Sequence, residues 1–337
     1  MKINNSTEQM MTTHYPIIGK SKAVESVRKL IAKLARTRND IIIVGEDGVG
    51  KGAIAKNIHY QNSNGTVDLP FVSVNLSVID DKEMEAVLFG FERGAERLPY
   101  TSKRGIFEIA NGGTVLIEEL EEASFRNQMK IMTLLNERMT RRIGGVKSAP
   151  VDIRLIITLK DGLKNLFERR KIIPELYEKL AEFETIYVTP LRDRAEDIPL
   201  LVKYFIGEIS KELGLGDIVI DINAIDVLVR QTWRENIREL KAVVDKSVLF
   251  SQGGRFTLPP ELVDEKTEVV KMINNIIAGQ EFVLDRSLDM IERGIIERAL
   301  DRFSLNQSKA AQFLGMTEQT LRYKLRRLGI ASSHQRA

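Results

Sequence analysis

The sequence predicts an α/β domain with a mainly parallel sheet and helices on its faces, followed by an all-helical remainder. Three observations carry that expectation. Up to Pro190, five short apolar runs alternate with stretches of helical periodicity, the pattern of a buried parallel sheet. Beyond Pro190 the apolar positions recur only at helical spacing. The first apolar run, Ile41-Ile42-Ile43-Val44, leads directly into Gly45-Glu46-Asp47-Gly48-Val49-Gly50-Lys51-Gly52, and a helical pattern (Ala53, Ile54, Lys56, Ile58) follows.

Residues 1–15 are polar and read as a disordered tail. Ile17-Ile18-Gly19-Lys20-Ser21 opens a helix whose apolar positions are Val24, Val27, Leu30, Ile31 and Leu34. After the first strand and its glycine loop come strand candidates at 71–75, 113–119, 153–158 and 185–188, with a regular helix at 127–139. Helices follow at 198–213, 224–231 and 236–250. Residues 251–266, with two glycines and two adjacent prolines, read as a linker. Compact helices at 287–303, 306–314 and 317–328 close the chain, which has no internal repeat.

A chain of 337 residues has room for about two or three domains. With 43% hydrophobic and 29% charged residues it is expected to be globular. No run approaches the ~20 apolar residues of a membrane span, and the N-terminus lacks a signal core. The absence of cysteine excludes disulfides and thiolate metal sites, and three scattered histidines argue against zinc. A cytoplasmic location with no membrane partner is expected. The net charge of +3 is small, but four of the six residues from Arg322 to Arg327 are basic, a local footprint suited to nucleic acid.

A strand, a glycine-rich loop and a helix, in that order, form the context of a phosphate-binding loop. Glycines let backbone N–H groups turn toward phosphates, the helix N-terminus adds positive potential, and Lys51 reaches the outer phosphates. Gly45, Glu46, Asp47, Gly48, Val49, Gly50, Lys51 and Gly52 are thus the expected nucleotide cradle. Gly52 stands where a hydroxyl usually holds Mg²⁺. Glu118 and Glu119 end an apolar strand, where one carboxylate would coordinate Mg²⁺ and the next polarise the attacking water. An acidic loop is the plainer alternative, since Glu121 and Glu122 follow.

Taken together, these motifs resemble the AAA+ domain of bacterial enhancer-binding proteins, the activators of sigma-54 RNA polymerase. The landmarks occur in order from Ile17 to about Gly254: the glycine loop, Pro70-Phe71-Val72-Ser73-Val74-Asn75, Leu88-Phe89-Gly90, the stretch from Gly105 to Thr114, Thr189-Pro190-Leu191-Arg192-Asp193-Arg194, and Trp233 to Leu240. The resemblance implies a P-loop NTPase with a three-layer α/β domain (16–189) and a helical lid (190–252). Arg238 would be the lid arginine that reads bound nucleotide, although Arg234-Glu235 replaces the family's Pro-Gly just before it. The family usually has Glu at the position of Gly52.

Several positions depart from the family pattern. Its polymerase-contacting GAFTGA loop corresponds to Gly94-Ala95-Glu96-Arg97-Leu98-Pro99, where charge and a stiffening proline replace the aromatic and threonine that engage sigma-54. The first carboxylate, Glu118, is one methylene longer than the usual Asp. The sensor asparagine near the γ-phosphate aligns with Lys160, and the arginines inserted by neighbouring subunits align with Ile173 and Lys179. Such an arginine is worth ~10³–10⁵ in rate, so its loss implies very slow turnover.

Asn306 to Leu325 has the helix-turn-helix layout: Ala310-Ala311 for close helix approach, Gly315 at the turn and Thr317 as cap. With Leu321, Leu325 and Leu328 facing inward, Thr317, Gln319, Thr320, Arg322 and Lys324 are left for bases and phosphates. An ordinary three-helix bundle with a basic face is the alternative. The stretch resembles the Fis-type DNA-binding domain that ends most enhancer-binding proteins, here 285–332 behind a linker at 253–284. Glu318 departs from the basic residue common there. The helix at 287–303 could supply a dimer seam or only a core.

The expected function is a DNA-binding transcriptional regulator with an ATP-binding AAA+ module, hydrolysis weak or absent, and no remodelling of sigma-54 polymerase. Its expected partners are double-stranded DNA, RNA polymerase without a direct sigma-54 contact, and copies of itself from a dimer to a hexameric ring. Two alternatives stay open: an active ATPase that activates sigma-54 polymerase, with Lys160 or Lys179 compensating, and a nucleotide-free pseudo-ATPase scaffold. No receiver or sensing domain precedes Ile17, so the regulating signal is expected from elsewhere.

Overall fold

The computed structural model describes residues 15–62, 69–94, 101–251, 254–259, 262, 284–303 and 306–330. They fall into two compact units that divide between Leu262 and Val263. Among the described residues, no helix is long and apolar enough to cross a membrane.

The described strands are β1 (Ile41–Val44), β2 (Phe71–Asn75), β3 (Gly90–Phe91), β4 (Lys103–Arg104), β5 (Thr114–Glu118), β6 (Met139–Thr140), β7 (Ala149–Pro150), β8 (Arg154–Leu159) and β9 (Glu184–Tyr187). Five of them form the central sheet in the order β2-β5-β8-β1-β9, every pairing parallel. The α/β expectation therefore holds. The unbroken apolar runs follow from burial on both faces. Ile42 and Val44 enter the core on one side with Val115, Ile117 and Ile157. Ile41 and Ile43 enter the other with Leu116, Ile156 and Ile186. One residue of slip in β1 would exchange these sets.

The sheet order brings the carboxyl ends of β5, β8 and β1 side by side. Residues 118–119, 158–160 and the loop after Val44 therefore converge at one edge, the position where open α/β sheets bind ligands. The short pairs β3–β4 and β6–β7 are antiparallel. Of the altered loop at 94–99, only Gly94 is among the described residues.

The lid helices are Ile198–Leu213, Ile222–Val229 and Asn236–Leu249. Trp233 is buried between the last two, its indole N–H donating to Leu228 O at 2.8 Å. Two boundaries differ from expectation. Tyr15 is not tail: its carbonyl accepts from Asn57 Nδ2, its ring stacks on Tyr60, and Lys56 Nζ lies 4.2 Å from its centroid. The rest of that stretch, 1–14, lies outside the described residues. Residues 254–258 are not linker either. Val219 bridges to Arg255, and Phe256 and Leu258 are buried, because two apolar side chains flank a backbone that pairs with the lid.

Asp197, at the start of the lid, is fully buried. It accepts from Lys20 N–H at 2.6 Å, Ser21 N–H at 2.8 Å and Ser21 Oγ at 2.6 Å, which ties the first helix to the lid. Gly19, at φ 146°, lets the carboxylate approach; a Cβ there would lie 2.7 Å from Asp197 Cγ.

The second unit contains helices Leu284–Arg302, Gln307–Phe313 and Glu318–Arg327. Ile296, Ala299, Leu300, Ala310, Ala311, Leu321 and Leu325 form its core. Asn306 and Thr317 cap the second and third helices through side-chain oxygens, and Gly315 turns the chain at φ 65°. On the first helix Ile296 and Ala299 face the core, while Leu288 and Ile295 are more than half exposed.

Asp197→Ala leaves three donors, two of them on buried Ser21, without their acceptor and is expected to cost about 3 kcal/mol. Urea unfolding followed through Trp233, the only tryptophan, reads this as a lowered midpoint; an unchanged midpoint contradicts it.

Candidate nucleotide cleft and DNA-facing helix

The loop from Gly45 to Lys51 curves because Gly48 (φ 74°) and Gly50 (φ 102°) adopt backbone angles that side chains disfavour. At Gly48 packing adds a second reason: a Cβ would lie 2.0 Å from Glu235 O. Gly52 differs, with nothing within 4 Å of a Cβ built on it. Lys51 begins the helix Lys51–Asn62, is nearly buried, and donates to Gly45 O and to Glu46 O at 3.0 Å. Burial lowers its pKa, against the nearby Asp47, Glu121 and Glu119 carboxylates.

Asn236 docks this loop on the lid. Its side chain is fully buried: Oδ1 accepts from Leu191 N–H at 2.7 Å, while Nδ2 donates to Asp47 O at 2.9 Å and Glu46 Oε2 at 3.2 Å. Ile237 N–H donates to Gly48 O at 3.0 Å. Glu46 also receives both Nη groups of Arg192, at 2.8 and 2.6 Å, and this pairing holds its pKa below the ordinary value despite burial. Sequence reasoning placed Glu46 and Asp47 in the cradle but missed Asn236 and Arg192. Both lie within the family landmarks, but nothing local shows what they hold.

Across the cleft, Glu118 ends β5; burial, then the adjacent Glu119, raises its pKa. Glu119 sits at φ 60°, ψ 52°, a conformation uncommon outside glycine. Its N–H donates to Thr158 O at 3.1 Å and its Oε1 accepts from Asn75 Nδ2 at 3.3 Å. Lys160 Nζ lies 2.8 Å from Glu119 Oε2 and 3.4 Å from Asp47 Oδ2. Burial raises the Glu119 pKa, and the Lys160 ammonium with Asn75 more than reverses this.

Two cavities share Gly50, Phe205 and Ile237. The polar one, about 280 Å³, is lined by Lys51, Glu118, Glu119, Thr158, Arg238 and Lys241. The apolar one, about 170 Å³, is lined by Ile17, Ile18, Val24, Leu201, Tyr204 and others. Sequence reasoning found the polar half and missed the apolar half, whose only local sign is the pair Ile17-Ile18.

The positions aligned with trans-acting arginines do not face outward as free charges. Ile173 belongs to the core and its N–H donates to Gln128 Oε1 at 3.0 Å; Lys179 pairs with Glu182 at 2.7 Å.

In the second unit Thr317, Gln319, Thr320 and Arg322 lie on the exposed side of the third helix. Arg322 Nη2 is 2.5 Å from Glu318 Oε1, and Glu318 Oε2 accepts from Ser308 Oγ at 2.5 Å, so Glu318 orients an arginine. Lys324 is placed otherwise than expected. It turns back to Glu292 of the first helix, which also holds Arg327 at 2.5 Å, because it shares the inward side with Leu321 and Leu325.

Three family models match: the sigma-54 interaction domain over residues 17–186, an AAA+ ATPase lid domain over 192–271, and a bacterial regulatory protein model of the Fis family over 287–328. Regulatory protein AtoC of Escherichia coli is 32% identical over 317 residues, covering 93% of this chain and 68% of AtoC. Transcriptional regulatory protein XylR of Pseudomonas putida is 31% identical, covering 97% of this chain and 59% of XylR. Nitrogen fixation protein AnfA of Azotobacter vinelandii is 33% identical over 94% of this chain, which spans 58% of AnfA. The crystal structure of NtrX from Brucella abortus in complex with ATP aligns with TM-score 0.65 and 29% identity, over 93% of this chain and 69% of that one.

The buried amide yields a paired prediction. Asn236→Ala removes three hydrogen bonds and puts a Cβ-bearing residue without compensation at φ 54°, for an expected loss of about 3 kcal/mol. Asn236→Gly should cost about 1 kcal/mol less, since glycine takes that φ freely. Equal unfolding midpoints for the two variants would contradict a strained, hydrogen-bonded Asn236.

Proposed function

Because the chain belongs to the family that joins a sigma-54 interaction domain to an AAA+ lid and a Fis-type helix-turn-helix, we propose that it is an ATP-binding transcriptional regulator that turns nucleotide over slowly. The observation that carries this reading is a pair of cavities that share Gly50, Phe205 and Ile237 in their linings. An apolar slot that suits the faces of a nucleobase lies beside a polar cleft lined by Lys51, Arg238, Glu118 and Glu119. The ATP complex of the similar NtrX supports the same assignment.

In this reading Gly45 to Gly52 cradle the triphosphate, Lys51 leaves its loop carbonyls for the outer phosphates, and Arg238 closes from the lid. Mg²⁺ fits as an ion carried by ATP, since it commonly needs one or two carboxylates besides phosphates, and Glu118 faces the cleft as that donor. When bound, the ion would neutralise charge on the phosphate oxygens. Glu119 is the water-polarising group. Hydrolysis is weak because no arginine stands at 173 or 179, and Ile173 is core.

The second unit binds double-stranded DNA through Thr317, Gln319, Thr320 and Arg322. Lys324 acts indirectly, through its hold on Glu292. Two such units on a two-fold operator require at least a dimer, and AAA+ contacts can extend it toward a hexameric ring. Glu96, Arg97 and Pro99 in the altered loop argue that output does not pass through sigma-54. A working sigma-54 activator is the second reading, favoured by Lys160 standing as a cation inside the cleft.

Calorimetry should show ATP binding that Lys51→Ala weakens by roughly 10–100-fold, the loss of a charge-assisted contact. Equal affinities would remove the cradle's role. Turnover should stay below about one per second with or without DNA; a higher rate favours the second reading. Arg322→Ala should cost about 1–3 kcal/mol of specific DNA binding, measured at fixed salt, and an unaltered operator affinity would remove Arg322 from the interface.

A further inference from the structure

Lys160 occupies a position from which it can decide what Glu119 does. It follows β8 directly, and its backbone N–H donates at 2.7 Å to Oε1 of Glu121, a carboxylate that is itself buried. Its ammonium bridges the two walls of the polar cleft, 2.8 Å from Glu119 Oε2 on one side and 3.4 Å from Asp47 Oδ2 on the other. The Glu119 side chain is 12% exposed and that of Lys160 38%, so the pair is shielded from water on its carboxylate side. The other carboxylate oxygen accepts from Asn75. Glu119's backbone is fixed as well, by its N–H to Thr158 and its left-handed conformation.

We propose that Lys160 is a positioning residue that latches Glu119, so that the cleft retains nucleoside triphosphate instead of hydrolysing it. The inference rests on the reading of the cleft as an ATP site. Hydrolysis forms a bond from the water oxygen to the γ-phosphorus and breaks the bond from that phosphorus to the β–γ bridging oxygen. The water's proton passes to a base. A carboxylate that pairs with an ammonium through one oxygen and accepts an amide N–H on the other is held in place and made a weaker base toward that water's proton. Asp47 anchors the same ammonium to the phosphate loop, which keeps the latch closed from both sides.

The loss of trans arginines and the latch are separable causes of slow turnover, because only the latch acts through Glu119. The test uses the full chain with ATP and Mg²⁺. Lys160→Met keeps the length of the side chain and removes its charge; Lys160→Gln is a second uncharged variant in case the first does not fold. Either is expected to raise kcat roughly tenfold or more, within the range that a freed general base contributes. The calorimetric ATP affinity should remain within about threefold of wild type, a change of under about 0.7 kcal/mol. Lys160→Arg, which keeps the ion pair, should restore the slow rate, and adding Glu119→Gln to Lys160→Met should abolish the gain.

An unchanged or reduced kcat in both uncharged variants overturns the latch, as does a gain that survives Glu119→Gln. If the wild-type chain binds no ATP, the reading of the cleft falls and the latch with it. Lys51-dependent ATP binding without any gain removes the latch alone.

Discussion

The buried amide of Asn236 is the constraint on which the cleft depends. One side chain, shielded from water, accepts from the entrance to the lid and donates to two residues of the phosphate loop. Buried polar groups are costly when unpaired and strong when satisfied, so this amide fixes the relative placement of loop and lid. Ile237 adds a backbone bond to Gly48, and Arg238 follows one residue later. The lid arginine therefore faces the cleft because of its neighbour's hydrogen bonds. The positive φ at Asn236 is part of the same arrangement, since asparagine tolerates a backbone that most residues avoid.

Charge in the cleft is compensated locally, and unevenly. Lys51 is held by neutral carbonyls, which a phosphate can outcompete. Lys160 is held by two carboxylates, a stronger claim on its charge. In the proposed reading, an incoming triphosphate would draw Lys51 away from its carbonyls while Lys160 stays paired. Glu118 differs from Glu119: burial, then the charge of Glu119 beside it, raises its pKa above the ordinary carboxylate value. The two adjacent glutamates have distinct environments, one arranged to receive positive charge and one already holding it.

Much of this was legible in the sequence wherever the cause is local. The β-branched runs, the glycine loop and the caps at Asn306 and Thr317 are properties of neighbouring residues, and the structure has them where spacing put them. What was not legible depends on partners distant in the chain. Tyr15 joins the fold through Asn57 and Tyr60, and Phe256 through the backbone of Val219. The pairing of Lys324 with Glu292, 32 residues away, could not be read from the sequence. Alignment alone put Lys160 near the terminal phosphate; its pairing with Glu119 follows only from the adjacency of β5 and β8.

We propose that the cleft holds a triphosphate while Glu119 stays paired with Lys160. A crystal structure grown with ATP and Mg²⁺ tests it most directly. The account predicts unhydrolysed ATP with its base in the apolar slot, its outer phosphates on Lys51, and Lys160 still paired with Glu119. Lys160 moved onto the γ-phosphate with Glu119 free would contradict it.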